Sequence, residues 1–149
     1  MRIKIVAVRR GVEVEFCSEL LKRNYKKCEK IRKKLEWLED FESYSFFYVA
    51  KEENLAVGFL YAYIVSKSGE LMYHSTALLE ALIVEPKYRN QGIATSLMEM
   101  FLDVCHNHNI KILETEIFHK NEYMQKIYWS LNLRKYCYRM RMNFEEETV

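Results

Sequence analysis

The chain is poor in the residues that make polypeptides flexible: one proline and four glycines in 149 residues. Long Gly- or Pro-rich linkers are thereby excluded, and most of the chain should be regular structure. With half its residues apolar, it is expected to bury one core, as a single domain over 1–149. Apolar runs long enough to span a bilayer are missing, and so are the apolar stretch and cleavage site of a signal peptide. The expectation is a cytoplasmic location and no membrane partner. An excess of one charge is missing too: 23 basic residues stand against 21 acidic, a balance that does not mark a nucleic-acid binder. Cys17, Cys28, Cys105 and Cys137 form no C-x-x-C pair, which argues against a disulfide framework and against metal ligation. Buried free thiols are the plainer reading. His106 and His108 stand two apart on an expected helix and point in different directions, so no metal site is expected.

What is present is periodic. Residues 3–8 alternate as a strand, whereas 12–16 fit strand or helix equally. From Ser18, a suitable N-cap, Leu21, Tyr25, Cys28, Ile31, Leu35 and Leu38 recur at helical spacing. The opposite face carries Lys22, Arg23, Lys26, Lys27, Lys30, Arg32, Lys33 and Lys34. That stripe could meet nucleic acid or acidic lipid, but a solvated face is the simpler account. Residues 44–50 and 55–65 are aromatic and β-branched, and the break Lys51-Glu52-Glu53-Asn54 between them predicts a hairpin. A turn at 66–69 precedes a strand ending at Val84. A helix from about Gly92, a strand over 111–117, a helix through Met124, Ile127, Tyr128 and Leu131, and a last alternating strand over 134–144 follow. The expected fold is mixed α/β (α+β), with six or seven strands and helices on both faces.

The stretch that carries chemistry is Leu78-Leu79-Glu80-Ala81-Leu82-Ile83-Val84-Glu85-Pro86-Lys87-Tyr88-Arg89-Asn90-Gln91-Gly92-Ile93-Ala94-Thr95. An apolar strand, a Pro-bearing turn and a Gly-bearing loop open into an amphipathic helix. Free backbone N–H groups and the positive end of the helix dipole meet there, a natural seat for phosphate. Gly92 admits a close anion, and small Ala94 keeps the first turn uncrowded. Arg89-x-x-Gly92-x-Ala94 resembles the signature of the GNAT superfamily of N-acetyltransferases, as does the preceding Val84-Glu85-Pro86-Lys87-Tyr88.

The resemblance implies a mostly antiparallel sheet splayed at a cleft for acetyl-CoA. The amides of Asn90, Gln91, Gly92, Ile93, Ala94 and Thr95 would hold its pyrophosphate, with Lys87 and Arg89 adding charge. The pantetheine arm would lie along Leu82, Ile83 and Val84. A second element resembles the family thirty residues later, where Asn121 stands seven positions before Tyr128. Asn121 would cap the helix and reach the cofactor, and Tyr128, two turns on along the same face, would protonate the departing thiolate. Met124, Asn132 and Leu133 replace the commoner Ala, Gly and Phe, and Asn132 can adopt the left-handed backbone that Gly usually supplies.

Attack on a thioester needs a deprotonated amine, so a carboxylate base is sought. Glu80, expected on the face of Leu82 and Val84, is one candidate, since apolar neighbours make a carboxylate more basic. Glu116, at the end of the next strand, is another, and Glu114 is a weaker third. Each could instead be structural. The expected activity is transfer of an acetyl group to a primary amine of a small molecule, polyamine or peptide, by direct attack in a ternary complex. The competing reading is a non-catalytic acyl-CoA-binding regulatory module whose basic helix contacts nucleic acid. Glu36, Glu39, Asp40 and Glu42 could draw a cationic acceptor or be a solvated helix end. Tyr136 and Tyr138 could line a peptide site or cover the sheet. A homodimer, with a partner completing the C-terminal edge, fits the family's habit.

Overall fold

The computed structural model describes residues 3–7, 45–67 and 74–145. The long basic helix expected from Ser18, the acidic cluster after it, Cys17, Cys28 and the second half of the turn at 66–69 lie outside these residues. The elements are β1 (Ile3–Ala7), β2 (Ser45–Glu52), β3 (Leu55–Lys67), β4 (His74–Val84), a 3-10 turn (Pro86–Tyr88), α1 (Ile93–Asn107), β5 (Ile112–Thr115) and α2 (Glu122–Ser130). They fall into two compact units, Met1–Glu116 and Ile117–Val149.

The first unit holds a five-stranded sheet in the order β1-β2-β3-β4-β5. Neighbours are antiparallel except β4 and β5, which are parallel. Parallel neighbours need a crossover, and α1 supplies it. The hairpin expected at 51–54 is present: β2 turns into β3 through Glu53 and Asn54, with Glu53 at φ 54° and Glu52 opposite Leu55. The sheet is thus mixed and mostly antiparallel as expected, with five strands among the described residues.

Each sheet face has its own apolar set. Val49, Ala56, Phe59, Tyr61, Ala81 and Ile83 form one buried cluster, with Val6, Phe47 and Tyr63 packed against it. Phe47 stacks on Phe59, centroids 5.7 Å apart, and lies 5.9 Å from Tyr61. The other face receives α1, whose stripe Ile93, Ala94, Leu97, Met98, Phe101 and Cys105 is buried. Phe101 meets Phe46 edge-on at 5.9 Å. Removing each of Leu97, Met98 and Phe101 from water contributes about 1.5–3 kcal/mol. Gly58 belongs where α1 begins: a Cβ there would stand 3.0 Å from the Ile83 carbonyl oxygen, 3.3 Å from Val84 and 3.5 Å from Ile93. The tight approach is to β4, so its lack of a side chain lets β3 and β4 lie close here, while the distance to Ile93 is an ordinary contact.

The second unit contains α2. Asn121 accepts a hydrogen bond from the Met124 amide at 3.2 Å, so the expected cap is in place. At the other end the Leu133 amide donates to Tyr128 O and the Asn132 amide to Trp129 O. With Asn132 at φ 70°, this is a Schellman stop, the left-handed role anticipated for that residue. Arg134 lies over the Trp129 ring, 3.9 Å from its centroid.

Two expectations fail. Residues 134–144 form no strand. Tyr136, Tyr138, Met140, Met142 and Phe144 are all strongly exposed, Phe144 at 90%. Alternation describes how side chains would divide between two faces, but a strand also needs a neighbour for its ladder bonds, and none pairs with this segment among the described residues. The thiols divide as well: Cys105 is buried, as expected, whereas Cys137 is exposed.

Candidate active site

The loop after β4 is built to present backbone amides. Pro86 opens the 3-10 turn, and Asn90 (φ 63°) and Gly92 (φ 78°) take left-handed conformations. The first intrahelical bond of α1 runs from the Ser96 amide to Gly92 O. The amides of Ile93, Ala94 and Thr95 precede it, and Gly92 has no side chain to cap them. A Cβ at Gly92 would meet nothing within 4 Å, so the approach to these donors is open. Donors, dipole and open space suit an anion such as a pyrophosphate. Two contacts fix the loop: Arg89 Nε donates to Val84 O at 3.1 Å, and the Tyr88 hydroxyl donates to the Glu52 carboxylate. That bond, aided by desolvation and by the charges of Glu52 and Glu85, holds the Tyr88 phenol above its ordinary range. The Tyr88–Glu52 tie was not readable from the sequence, where the two residues are thirty-six positions apart.

Upstream of the loop, β4 is forked from β5. Their pairing ends at Leu79 opposite Thr115, where the Thr115 hydroxyl donates to Leu79 O at 2.9 Å. β4 runs on to Val84 beside β3, but among the described residues no strand pairs with its other edge beyond Leu79. The Glu85 amide donates to Val57 O at 2.8 Å. By antiparallel alternation the main chain of Ile83 therefore also turns to β3, and that of Leu82 and Val84 to the open edge. Arg89 already meets the Val84 carbonyl there. Of the three strand residues named for the pantetheine arm, Leu82 and Val84 turn their main chain to this edge and Ile83 turns its to β3.

Glu80 stands at the fork, and a β-bulge moves it. Tyr61 lies opposite Ala81 and Ala62 opposite Leu79, so the register shifts by one residue and Glu80 is the extra residue of the bulge. It therefore does not share the face of Leu82 and Val84, as simple alternation implied. It lies with Leu78 and Ala81 on the face of Tyr61 and Tyr63, and Tyr63 Oη donates to Glu80 Oε1 at 2.9 Å. Burial, then this bond, then the Glu80 charge push the Tyr63 phenol up to about 12. Burial foremost, with the charge of Glu80 next, raises Tyr61 as well. Neither phenol ionises near neutral pH, so both remain O–H groups.

Glu116 is exposed and lies one residue past the end of β5, while Glu114 is half-buried on the strand. In the second unit Asn121 caps α2 and Tyr128 is buried with Met124 on one face of it. No group of three or more potential metal ligands occurs among the described residues, and none of their helices is long and apolar enough to cross a membrane.

These features can be set beside known proteins. The chain's fold is similar to that of the aminoglycoside acetyltransferase AAC(6')-Iy, solved with the bisubstrate analogue CoA-S-monomethyl-acetylneamine. The TM-score is 0.74 at 19% identity, covering 95% of this chain and 100% of that one. It is similar to the aminoglycoside 6'-N-acetyltransferase AAC(6')-IG of Acinetobacter haemolyticus (TM-score 0.73, 17% identity, 99% and 100% covered). It is also similar to a ribosomal-protein-alanine N-acetyltransferase of Brucella melitensis biovar Abortus 2308 (TM-score 0.71, 14% identity, 96% and 100% covered). No curated protein matches the chain by sequence comparison. A family model described as the acetyltransferase (GNAT) family matches residues 14–131, well over half of the chain. The chain belongs to the GNAT family and is an acyltransferase.

Proposed function

We propose that the protein moves the acetyl group of acetyl-CoA to a primary amine by direct attack in a ternary complex. One observation carries the reading: β4 leaves β5 at Leu79 and ends five residues later in a loop whose helix-start amides are not capped by the Gly92 N-cap. A phosphate-binding end and an open strand edge in line suit a long, anionic, amide-bearing molecule. That both AAC(6')-Iy and AAC(6')-IG are named as aminoglycoside acetyltransferases supports an amine as acceptor.

Acetyl-CoA, when bound, supplies an acyl group activated as a thioester. The amides of Asn90, Gln91, Gly92, Ile93, Ala94 and Thr95 bind its pyrophosphate, Leu82 and Val84 pair with its amide groups, and Asn121 contributes a polar contact. An amide of the open β4 edge polarises the thioester carbonyl. Glu80, at the fork, takes the proton from the attacking amine directly or through water, and Glu116 is the reserve candidate. Tyr128 gives its hydroxyl proton to the sulfur as the carbon–sulfur bond breaks.

Thiol release from acetyl-CoA, measured with neamine, spermidine and an alanine-starting peptide, tests the reading. Turnover with one of them is expected, with Tyr128→Phe lowering kcat roughly 100-fold and leaving the KM for acetyl-CoA within about twofold. Undiminished turnover in Tyr128→Phe would remove the acid assignment. Tight acetyl-CoA binding without turnover of any amine would favour the non-catalytic module instead.

A further inference from the structure

We infer that residues 134–144 are a strand donated to a second copy of this chain, where they add to the outer edge of β5 in a reciprocal dimer. The inference is independent of the chemistry proposed above. Its starting point is a row of uncovered side chains. Tyr136 is 87% exposed, Tyr138 84%, Met140 89%, Met142 75% and Phe144 90%. In an extended segment these five stand on one side. Side chains of this size bury about 150 Å² or more each, so the row leaves on the order of 600 Å² of apolar surface in water, at the upper limit for a monomer. Two such rows and the two surfaces that receive them would bury about 2,400 Å², within the range of obligate homodimers.

Hydrogen bonding and charge choose the receiving surface. An extended segment completes its main-chain bonds against another strand. Two donated segments lying side by side would make only a two-stranded ribbon, marginal in water. They would also set cations against cations, because the other face carries Lys135, Arg139 and Arg141 and no acid precedes Glu145. Among the described residues the sheet has two outer strands, β1 and β5. β1 carries Lys4 and no acid. β5 carries Glu114, with Glu116 just past its end. It is also thinly covered: Ile112 is 39% exposed, and Ile117 and Phe118 beyond it are 37% and 83% exposed. Leu113 lies opposite Ala77, on the face of the sheet that receives α1, and Glu114 lies on the other. A strand added there sets the apolar row beside Leu113 and the basic row beside Glu114. Each copy has one such segment and one such edge, so two exchanges related by a twofold axis close the assembly.

Sedimentation velocity, hydrogen exchange and cross-linking of the full chain test the inference. The protein should sediment as a dimer at micromolar concentration, with amides of residues 135–143 and of β5 protected. Met140→Asp combined with Met142→Asp carries two carboxylates into the apolar row. It should raise the dimer dissociation constant about 100-fold or more and remove the protection of 135–143. Both methionines are exposed in the single copy, so the far-UV circular dichroism of the variant should match that of the wild type. For the cross-link, p-benzoylphenylalanine replaces Tyr138 in dimers that native mass spectrometry shows to pair a light with a 15N-labelled copy. Photolysis should join the segment of one isotope to β5 of the other. A monomer at about 100 µM, or a dimer that survives both aspartates, would overturn the inference. So would cross-links to β5 of the same isotope, which mean that the segment folds back on its own chain, and cross-links between two 134–144 segments.

Discussion

At the scale of single residues, two glycines of the site region are constrained for different reasons. Gly92 has space around it but holds φ 78°, so Gly92→Ala should cost about 1–2 kcal/mol through backbone strain alone. At Gly58 a Cβ would stand 3.0 Å from the Ile83 carbonyl oxygen, and Gly58→Ala should cost about 1–3 kcal/mol by pushing β3 and β4 apart. Urea denaturation measures both, and isothermal titration with CoA should show weakened binding in each. Gly92 was legible because its place after Arg89 matches a motif. Gly58 was not, because the need for it arises from how closely β4 lies beside β3. Cys105 offers a further check: burial pushes its thiol up to about 11. Iodoacetamide at pH 8 in the folded state should label Cys137 well before Cys105, read by mass spectrometry of the two peptides. The thiol also links pH to stability. An unfolded chain ionises near 9 and the native one near 11, so above pH 9 the unfolded state binds fewer protons and stability declines until both forms are ionised. Cys105→Ala should remove that part of the alkaline decline.

Among the elements, α2 was the most readable, since its limits are set by local chemistry. Asn121 caps it and Asn132 stops it, each through bonds spanning only a few residues. Asn121→Ala should therefore cost about 1 kcal/mol in urea denaturation, while Asn132→Gly should be neutral or slightly stabilising. The loop before α1 was readable for the same reason. β4 was harder. Its run from Ala77 to Val84 is apolar at every position but Glu80, so the period carries no mark of the bulge, and alternation sent Glu80 to the wrong face. Residues 134–144 show the complementary failure: a clean alternation with no partner strand. Pairing is a property of two segments, and one segment's pattern cannot report it.

At the scale of the molecule, the forked β4 edge and the helix-start amides belong to the native state alone, and ligand binding there adds to stability by mass action. Acetyl-CoA at a hundred times its dissociation constant should stabilise the fold by about 2.7 kcal/mol, a rise of several degrees in Tm by scanning calorimetry. Adenosine, which lacks both pyrophosphate and pantetheine, should give little of it. The family was legible at this scale because the strand–loop–helix geometry that marks it is written in a short motif. The acceptor was not, since it depends on how side chains from distant segments meet.

The open edge of β4 has a last consequence, for handling the protein. Beyond Leu79 the main chain of Leu82 and Val84 faces an edge with no neighbouring strand among the described residues, a template on which another extended segment can add. The ligand-free protein should therefore scatter light at lower temperatures on warming than the CoA-bound form, and purification with CoA present should suppress the aggregate.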